Sequence, residues 1–449
     1  MASEARCLYI HVAEQNKNTR TEQGSCALAL RAARHEAGAR PPRRARMHAL
    51  SRHKVVFVSG LGLACSMSMS RGLVSALGGV ASSAASAIQQ AIHSPPDPSR
   101  YVHTPEAYLR QSIIIIRHGD RAPISERAGD NMIVDAERWR ERLPSAAATA
   151  VCDAAFPVAG PEQAVDVGKV PLGALTSTGA HQCFQVGANI RARLERFAPH
   201  LLPNASSHLA VRATNIRRTQ VSVQNLLLGL LGRESLGRLN DAPPPPFTVP
   251  ISVRQIEYET MLPNPSACPK LRRRWDMVRA QTSRAEEGTE DEVLLAAAKA
   301  ILGYPEGEDF RLDQAREVLV CAVAHDDPRP AAMTDEMIHQ LMRLNAKRWF
   351  VRFADPIVAR LGMGLLVDEI ETRLTAAATA ASSTAAFSSA ASVDDDEATR
   401  PPRCVLFSGH DSTLVPLLAA LGLTEPHEWP QYAGSITIEL ADLAAAPGA

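Results

Sequence analysis

No sign of charge predominates in this chain: Lys+Arg and Asp+Glu both number 48, so no overall basic field exists to gather nucleic acid or an anionic membrane surface. Local clusters occur at Arg40, Arg43, Arg44 and Arg46, and again at Arg272, Arg273 and Arg274, but such runs more often cover solvated faces or tails. Any CxxC pair is also missing. The eight cysteines, Cys7, Cys26, Cys65, Cys152, Cys183, Cys268, Cys321 and Cys404, stand singly and share no zinc-ligand spacing with histidine, which argues against a structural metal. The five that follow residue 100 suit either a few disulfides in an oxidising compartment or buried thiols in a reducing one. Their odd number leaves at least one without a partner in that region. No internal repeat is present, and no stretch matches the about 20 predominantly apolar residues of a spanning helix without Ser, Gly or Arg interrupting it.

What is present is enough for a globular enzyme. A chain of 449 residues with 45% hydrophobic content can bury a large core and hold one large or two ordinary domains. Residues 1–46 are polar and Arg-rich, without a sustained apolar period, and are expected to carry no fold. Residues 47–110 read as a signal or membrane-anchor segment and linker: Met47 precedes Arg52, His53 and Lys54, then the uncharged run Val55 to Ser70, with small residues at Ala81 to Ala87. Asn204-Ala205-Ser206 is a glycosylation sequon and agrees with the secretory pathway.

Beyond these segments the pattern is that of an α/β protein. Ser112 to Ile116 is a short apolar, β-branched run of the kind buried on both faces of a parallel sheet, and it ends at Arg117-His118-Gly119. Cys404 to Phe407 is a second such run, ending at Ser408-Gly409-His410-Asp411 before a helical pattern through Leu414, Leu417, Leu418 and Leu421. Both strands deliver polar groups at their carboxyl ends, the edge of an open α/β sheet where ligands bind. His208 to Arg212 reads as a further strand, and Leu175 to Phe197 and Gln220 to Leu231 as amphipathic helices. Pro243 to Pro246 breaks the chain, and Leu271 to about Leu344 is charged and helical in pattern. The expected architecture is a three-layer α/β/α sandwich with a mostly parallel central sheet and an inserted helical cap. Residues 111–240 and 401–449 form the two parts of its core, 241–360 the cap, 361–375 a returning core helix, and 376–400 a low-complexity surface insertion.

The chemistry gathers around Arg117-His118-Gly119-Asp120-Arg121-Ala122-Pro123. Two guanidinium forks beside a histidine offer a phosphate dianion the planar, charge-assisted donors that its oxygens accept. Gly119 allows a sharp turn beside the ligand and Pro123 stiffens the following loop. Nearby cations disfavour protonation of the imidazole, leaving a neutral nucleophile that can take a phosphoryl group and pass it to water. His410-Asp411 places a carboxyl group where it can protonate a departing alkoxide.

These residues resemble the histidine acid phosphatases, the acid phosphatase branch of the histidine phosphatase superfamily. Arg117 to Pro123 matches the family's RHGxRxP motif, Leu175 to Leu194 (LTSTGAHQCFQVGANIRARL) its LTxxG helix, Arg212 to Ser222 (RATNIRRTQVS) its RSTDxxRTxxS segment, and Ser408 to Gly422 its HD motif. Tyr432 to Leu440 resembles the strand after the HD helix, and Ala267 to Leu271 an element of the cap. The likeness covers about residues 112–440. It implies His118 as nucleophile and Asp411 as proton donor, with Arg117, Arg121, Arg212 and His410 as the phosphate pocket. It also implies a small-molecule or glycan phosphomonoester substrate, and no cofactor, metal or nucleic acid. Ala213 and Asn215 stand where the family has Ser and Asp, which bears on binding strength and pH dependence. Relatives usually continue past the position of Glu439-Leu440, so final strands or a cysteine partner are expected to be lacking.

Other readings are weaker. A metal-dependent phosphohydrolase needs further His/Asp groupings at ligand spacing, which are missing. A phosphoglycerate-mutase-like member uses a glutamate acid and lacks this HD pair. A non-catalytic phosphate-binding protein would have no need of all six motif residues. Within the branch, HD is unlike the acid motif of multiple inositol-polyphosphate phosphatases but is shared with phytases and 2-phosphoxylose phosphatases. The remaining histidines, His325 among them, are expected at the surface or satisfied in the core, and Trp275 and Trp349 in packing or at the substrate entrance.

Overall fold

A computed structural model describes residues 6–13, 28–31, 55–57, 107–160, 170–232, 247–386, 400–423 and 429–443. In chain order the strands and helices are β1 (Arg6–Ala13), β2 (Leu28–Arg31), β3 (Val55–Phe57), β4 (Ala107–Arg117), α1 (Ala136–Arg140), α2 (Ala146–Ala155), β5 (Val158–Ala159) and α3 (Ser177–Phe197). They continue with β6 (Leu209–Ala213), α4 (Arg217–Leu230), β7 (Ile251–Ser252), α5 (Pro269–Glu286), α6 (Glu290–Leu302) and α7 (Leu312–Ala324). The last are α8 (Asp335–Ala354), α9 (Pro356–Ala386), β8 (Cys404–Gly409), α10 (Asp411–Ala420) and β9 (Ser435–Leu443).

The described strands form one sheet in the order β3-β2-β1-β9-β4-β8-β6-β7-β5. From β4 through β8, β6 and β7 to β5 every pairing is parallel, and β9 joins β4 antiparallel. This six-stranded portion is the mostly parallel sheet expected of the α/β class. Its centre follows from the unbroken run Ile113–Ile116, whose members are all almost fully buried. Period-2 alternation splits them: Ile114 and Ile116 pack with α2, α3 and α4, whereas Ile113 and Ile115 pack with α5, α8, α9 and α10. Helices thus cover both faces, giving the three layers.

The sheet extends further than expected. The expectation that residues 1–46 carry no fold is corrected by β1, which pairs antiparallel with β9 from Arg6–Asp442 to Ala13–Ser435, and by β2 beside it. The short alternation of Leu8, Ile10 and Val12 sits among polar flanks and gives little signal in sequence, yet β9 without it would present an unpaired edge of backbone donors and acceptors. Val55–Phe57, the start of the apolar run in the expected signal segment, pairs with β2 as β3, and residues 107–110 at the segment's end belong to β4. Residues 47–54 and 58–106 lie outside the described residues.

Helices α6 and α7 and the first half of α8 bury a separate apolar cluster with Ala128, Met132 and Met333, lying over the loop that follows β4. Helix α9 continues to Ala386, beyond the expected end at residue 375, because alanine, the strongest helix former, dominates the stretch that composition alone marks as low-complexity. Residues 387–399 of the expected insertion lie outside the described residues.

Candidate active site

Strands β4 and β8 are parallel neighbours, with Arg117 opposite Gly409, so the two polar motifs at their carboxyl ends meet. The loop after β4 leans on the start of α3 at a distance only glycine permits. A Cβ on Gly119 would lie 2.2 Å from Gly179 O, and one on Gly179 would lie 2.1 Å from Asp120 O. The need for Gly119 is this close approach, not the sharp turn expected from sequence.

His118 is 1% exposed, and its Nδ1 lies 2.8 Å from Gly119 O. A carbonyl oxygen can only accept, so Nδ1 carries the hydrogen and Nε2 the lone pair. Burial holds the imidazole pKa well below its ordinary value, aided by the positive charges of Arg218 and Arg117, then His410 and Arg121. His410 packs edge-on to His118 with ring centres 5.3 Å apart. Its Nδ1 lies 3.3 Å from Arg218 Nη2 and its Nε2 2.9 Å from Thr214 Oγ1. Because a guanidinium only donates, Nε2 of His410 carries the hydrogen and donates to Thr214. Burial and then Arg218 also depress this pKa strongly, against the pull of Asp411.

Asp411 opens α10, where the helix dipole favours a carboxylate. Its Oδ1 accepts from Ser412 N at 2.8 Å. Its Oδ2 accepts from Arg117 Nη2 at 2.9 Å and from Trp429 Nε1 at 3.0 Å. Burial acts to raise this pKa and is overcome chiefly by Arg117 and Arg316, so the carboxyl sits far below the usual range. Arg117 also donates to Pro430 O at 2.5 Å and lies 4.1 Å over the Tyr432 ring. Arg121 donates to Glu317 Oε2 at 2.9 Å. Burial of Arg121 works against its charge, but Tyr432 and Glu317 outweigh it and raise its pKa.

Five of the six expected residues thus come together: Arg117, His118, Arg121, His410 and Asp411. Arg212 does not join them, and its expected place is corrected. Its guanidinium bonds Glu259, Glu369 at 2.5 Å and Thr260 Oγ1 at 2.8 Å, so two carboxylates already neutralise it. The third arginine beside the histidines is Arg218, six residues on in the same motif and 7% exposed. Burial lowers its pKa to about 9, with Arg121 adding to the effect. Its Nε and Nη1 are buried without a partner, as are Nε of Arg117 and of Arg121. Orphaned cationic donors around a neutral imidazole fit an anion as the missing partner.

Sequence reading also missed Thr214, Glu317 and Trp429. Thr214 Oγ1 lies 2.8 Å from Thr219 Oγ1 and holds His410 from behind. Asn215, expected to bear on binding strength and pH dependence, meets Gln220 at 3.5 Å. Trp349 packs against both Trp275 and Trp429 with ring centres 5.8 and 5.6 Å apart, so the tryptophans form an aromatic wall that ends at Asp411. Among the described residues no cluster has the make-up of a metal site. The five cysteines after residue 100 are all free.

Residues 108–442 match the family model of the histidine phosphatase superfamily, branch 2. The chain belongs to this family. Its reaction class is therefore phosphomonoester hydrolysis. The phosphatase is 26% identical over 362 residues to counting factor 60 of Dictyostelium discoideum, covering 77% of this chain and 79% of that protein. It is 24% identical over 273 residues to human lysophosphatidic acid phosphatase type 6, covering 60% of this chain and 56% of the relative, so the match spans little more than half of that protein. Lysosomal acid phosphatase of Bos taurus is 26% identical over 348 residues, covering 74% and 67%. Among solved structures, the phytase of Citrobacter braakii superposes with a TM-score of 0.46 at 17% identity, covering 74% of this chain and 81% of that one.

Proposed function

We propose that Nε2 of His118 attacks the phosphorus of a phosphomonoester while Arg117, Arg121 and Arg218, with His410, hold the phosphoryl oxygens. The P–O ester bond breaks as the N–P bond forms, and the leaving alkoxide takes the proton of Asp411. Water then attacks the phosphohistidine, giving its proton to the Asp411 carboxylate as the N–P bond breaks. The carrying observation is the ring of buried, unpartnered guanidinium donors around an imidazole whose Nδ1–H is already committed to Gly119 O. Three arginines also offset the charge spread over the equatorial oxygens of the transition state.

Arg117 holds Asp411 ionised, and bound substrate changes this. A phosphate dianion draws Arg117 to itself and adds negative charge beside the carboxyl, and both effects raise the pKa of Asp411. The donor thereby gains its proton when it is needed. His118→Ala should abolish turnover of an aryl phosphate, vanadate should inhibit the native enzyme, and a chelator should leave it active. Full activity in His118→Ala would remove the nucleophile.

We infer further that the chain enters the secretory pathway and carries a glycan on Asn204, an exposed asparagine within a sequon. The likeness to a protein named as a lysosomal acid phosphatase supports this. Among the described residues no helix is long and apolar enough to cross a membrane. Expression in a eukaryotic cell should give a product shortened by endoglycosidase, whereas an unglycosylated cytosolic product would contradict the assignment.

A further inference from the structure

Helix α7 lays one face against the catalytic loops. Asp313, Arg316, Glu317 and Cys321 recur at helical spacing along it, and His325 follows at its C-terminal end. Glu317 accepts from Arg121 Nη1 at 2.9 Å and from the backbone N–H of Ile124 and Ser125 at 3.1 and 2.8 Å. Arg316, 6% exposed, serves the other end of the site. Its Nη2 is 3.9 Å from Asp411 Oδ2, and its guanidinium carbon lies 4.4 Å from the centre of the Trp429 ring. The indole N–H of Trp429 donates to that same Oδ2 at 3.0 Å. With the Asn345 amide oriented to donate to Asp313 Oδ1, its oxygen accepts from Arg316 Nε at 3.2 Å.

We propose that Arg316 is a positioning residue that sets the acidity of Asp411 throughout the reaction cycle. The inference rests on the reading of Asp411 as the proton donor. Arg117, the nearer cation, is also a phosphate ligand in that reading, so its hold on the carboxylate slackens whenever the phosphoryl group is bound. Arg316 is anchored instead by Asn345 and by its stack on Trp429, and it keeps its place as phosphate comes and goes. Among the described residues the charged and titratable groups facing Asp411 are Arg117 from β4, His118 and Arg121 from the next loop, Arg218 from α4, Arg316 from α7 and the adjoining His410. Of the cations, only Arg117 and Arg316 are ion-paired with the carboxylate. Arg316 therefore limits how far substrate can raise the Asp411 pKa in the first step and favours the carboxylate that must take a proton from water in the second.

The test is the pH dependence of kcat for an alkyl phosphate. Activity falls on the alkaline side as Asp411 loses its proton, so Arg316→Gln should move that limb to higher pH by about one unit, the scale of an opposite charge at this distance. Arg316→Lys, which keeps the charge, should stay near the native profile. Arg316→Met retains the aliphatic stem against Trp429 and serves if the glutamine variant does not fold. A purely structural role would scale the whole profile down without moving the limb. An unmoved limb in the neutral variants, or an equal shift in the lysine variant, overturns the proposal. Asp411→Asn, assayed on alkyl and aryl phosphates, separates the two levels. Unequal losses beside an unmoved Arg316 limb would remove the role of Arg316 alone, and equal losses would remove the proton donor beneath it.

Discussion

At the scale of residues, the instructive pair is Arg212 and Arg218. Both belong to one motif, and the local sequence does not tell them apart, because the partners that claim Arg212 lie 47 and 157 residues further along the chain. Once Glu259 and Glu369 are in place, Arg212 is a structural ion and Arg218 faces the histidines. Arg218→Ala should therefore lower kcat/KM by about a hundredfold or more with little change in melting temperature. Arg212→Ala should destabilise the fold by roughly 3–5 kcal/mol, because it strands a buried carboxylate. Thermal melting and steady-state kinetics on both variants check this, and the reverse pattern would restore Arg212 to the pocket. Asp411→Asn should slow esters of poor leaving groups by about a hundredfold or more and activated phenol esters far less, because a phenolate departs without a proton. The two motifs proposed to supply the nucleophile and the acid were legible in sequence as the polar ends of apolar runs, and β4 and β8 bring those ends together.

Elements were legible where their pattern is one-dimensional. Ile113 to Ile116 announces a central strand by itself, and the spacing from Leu175 to Phe197 announces a helix. What α7 does was hidden. Arg316 and Glu317 stand as on an ordinary amphipathic surface helix, and only the docking of that helix on the loop after β4 gives them a role. The contact between that loop and α3 is equally invisible, since it depends on two glycines 60 positions apart in numbering, Gly119 and Gly179, meeting backbone to backbone. Gly179→Ala forces a Cβ to 2.1 Å from Asp120 O, so it should displace the nucleophile loop and cut kcat by at least about tenfold. Gly364→Ala in α9 is the control. Its Cβ would meet nothing nearer than Arg360 Cγ at 3.9 Å, and it should stabilise the helix by about 0.5–1 kcal/mol without touching activity. Loss of activity in both, or in neither, would break this account of the loop.

At the scale of the whole molecule the proposed catalytic centre lies in the seam between the sheet edge and the inserted helices, and that seam is what makes two histidines costly to protonate. His118 and His410 have folded-state pKa values held below those of the unfolded chain by burial and by Arg218. The unfolded chain then binds more protons as the pH drops below about 6.5, and stability falls with it, by up to about 1.4 kcal/mol per pH unit for each group. The enzyme alone should melt lower at pH 5 than at pH 7, and added inorganic phosphate should restore much of the difference by pairing with the buried guanidinium donors. A melting temperature indifferent to pH in this window would contradict the buried, neutral pair. The three-layer plan was readable from the strand ends and helical periods, whereas the strand Arg6–Ala13 was not, because its importance comes from the edge of β9 that it covers. The central claim is covalent, so trapping tests it most directly. Quenching the enzyme during turnover of a labelled phosphomonoester should leave acid-labile, base-stable phosphate on His118, and label found instead on a serine or carboxylate, or on another histidine, would contradict it.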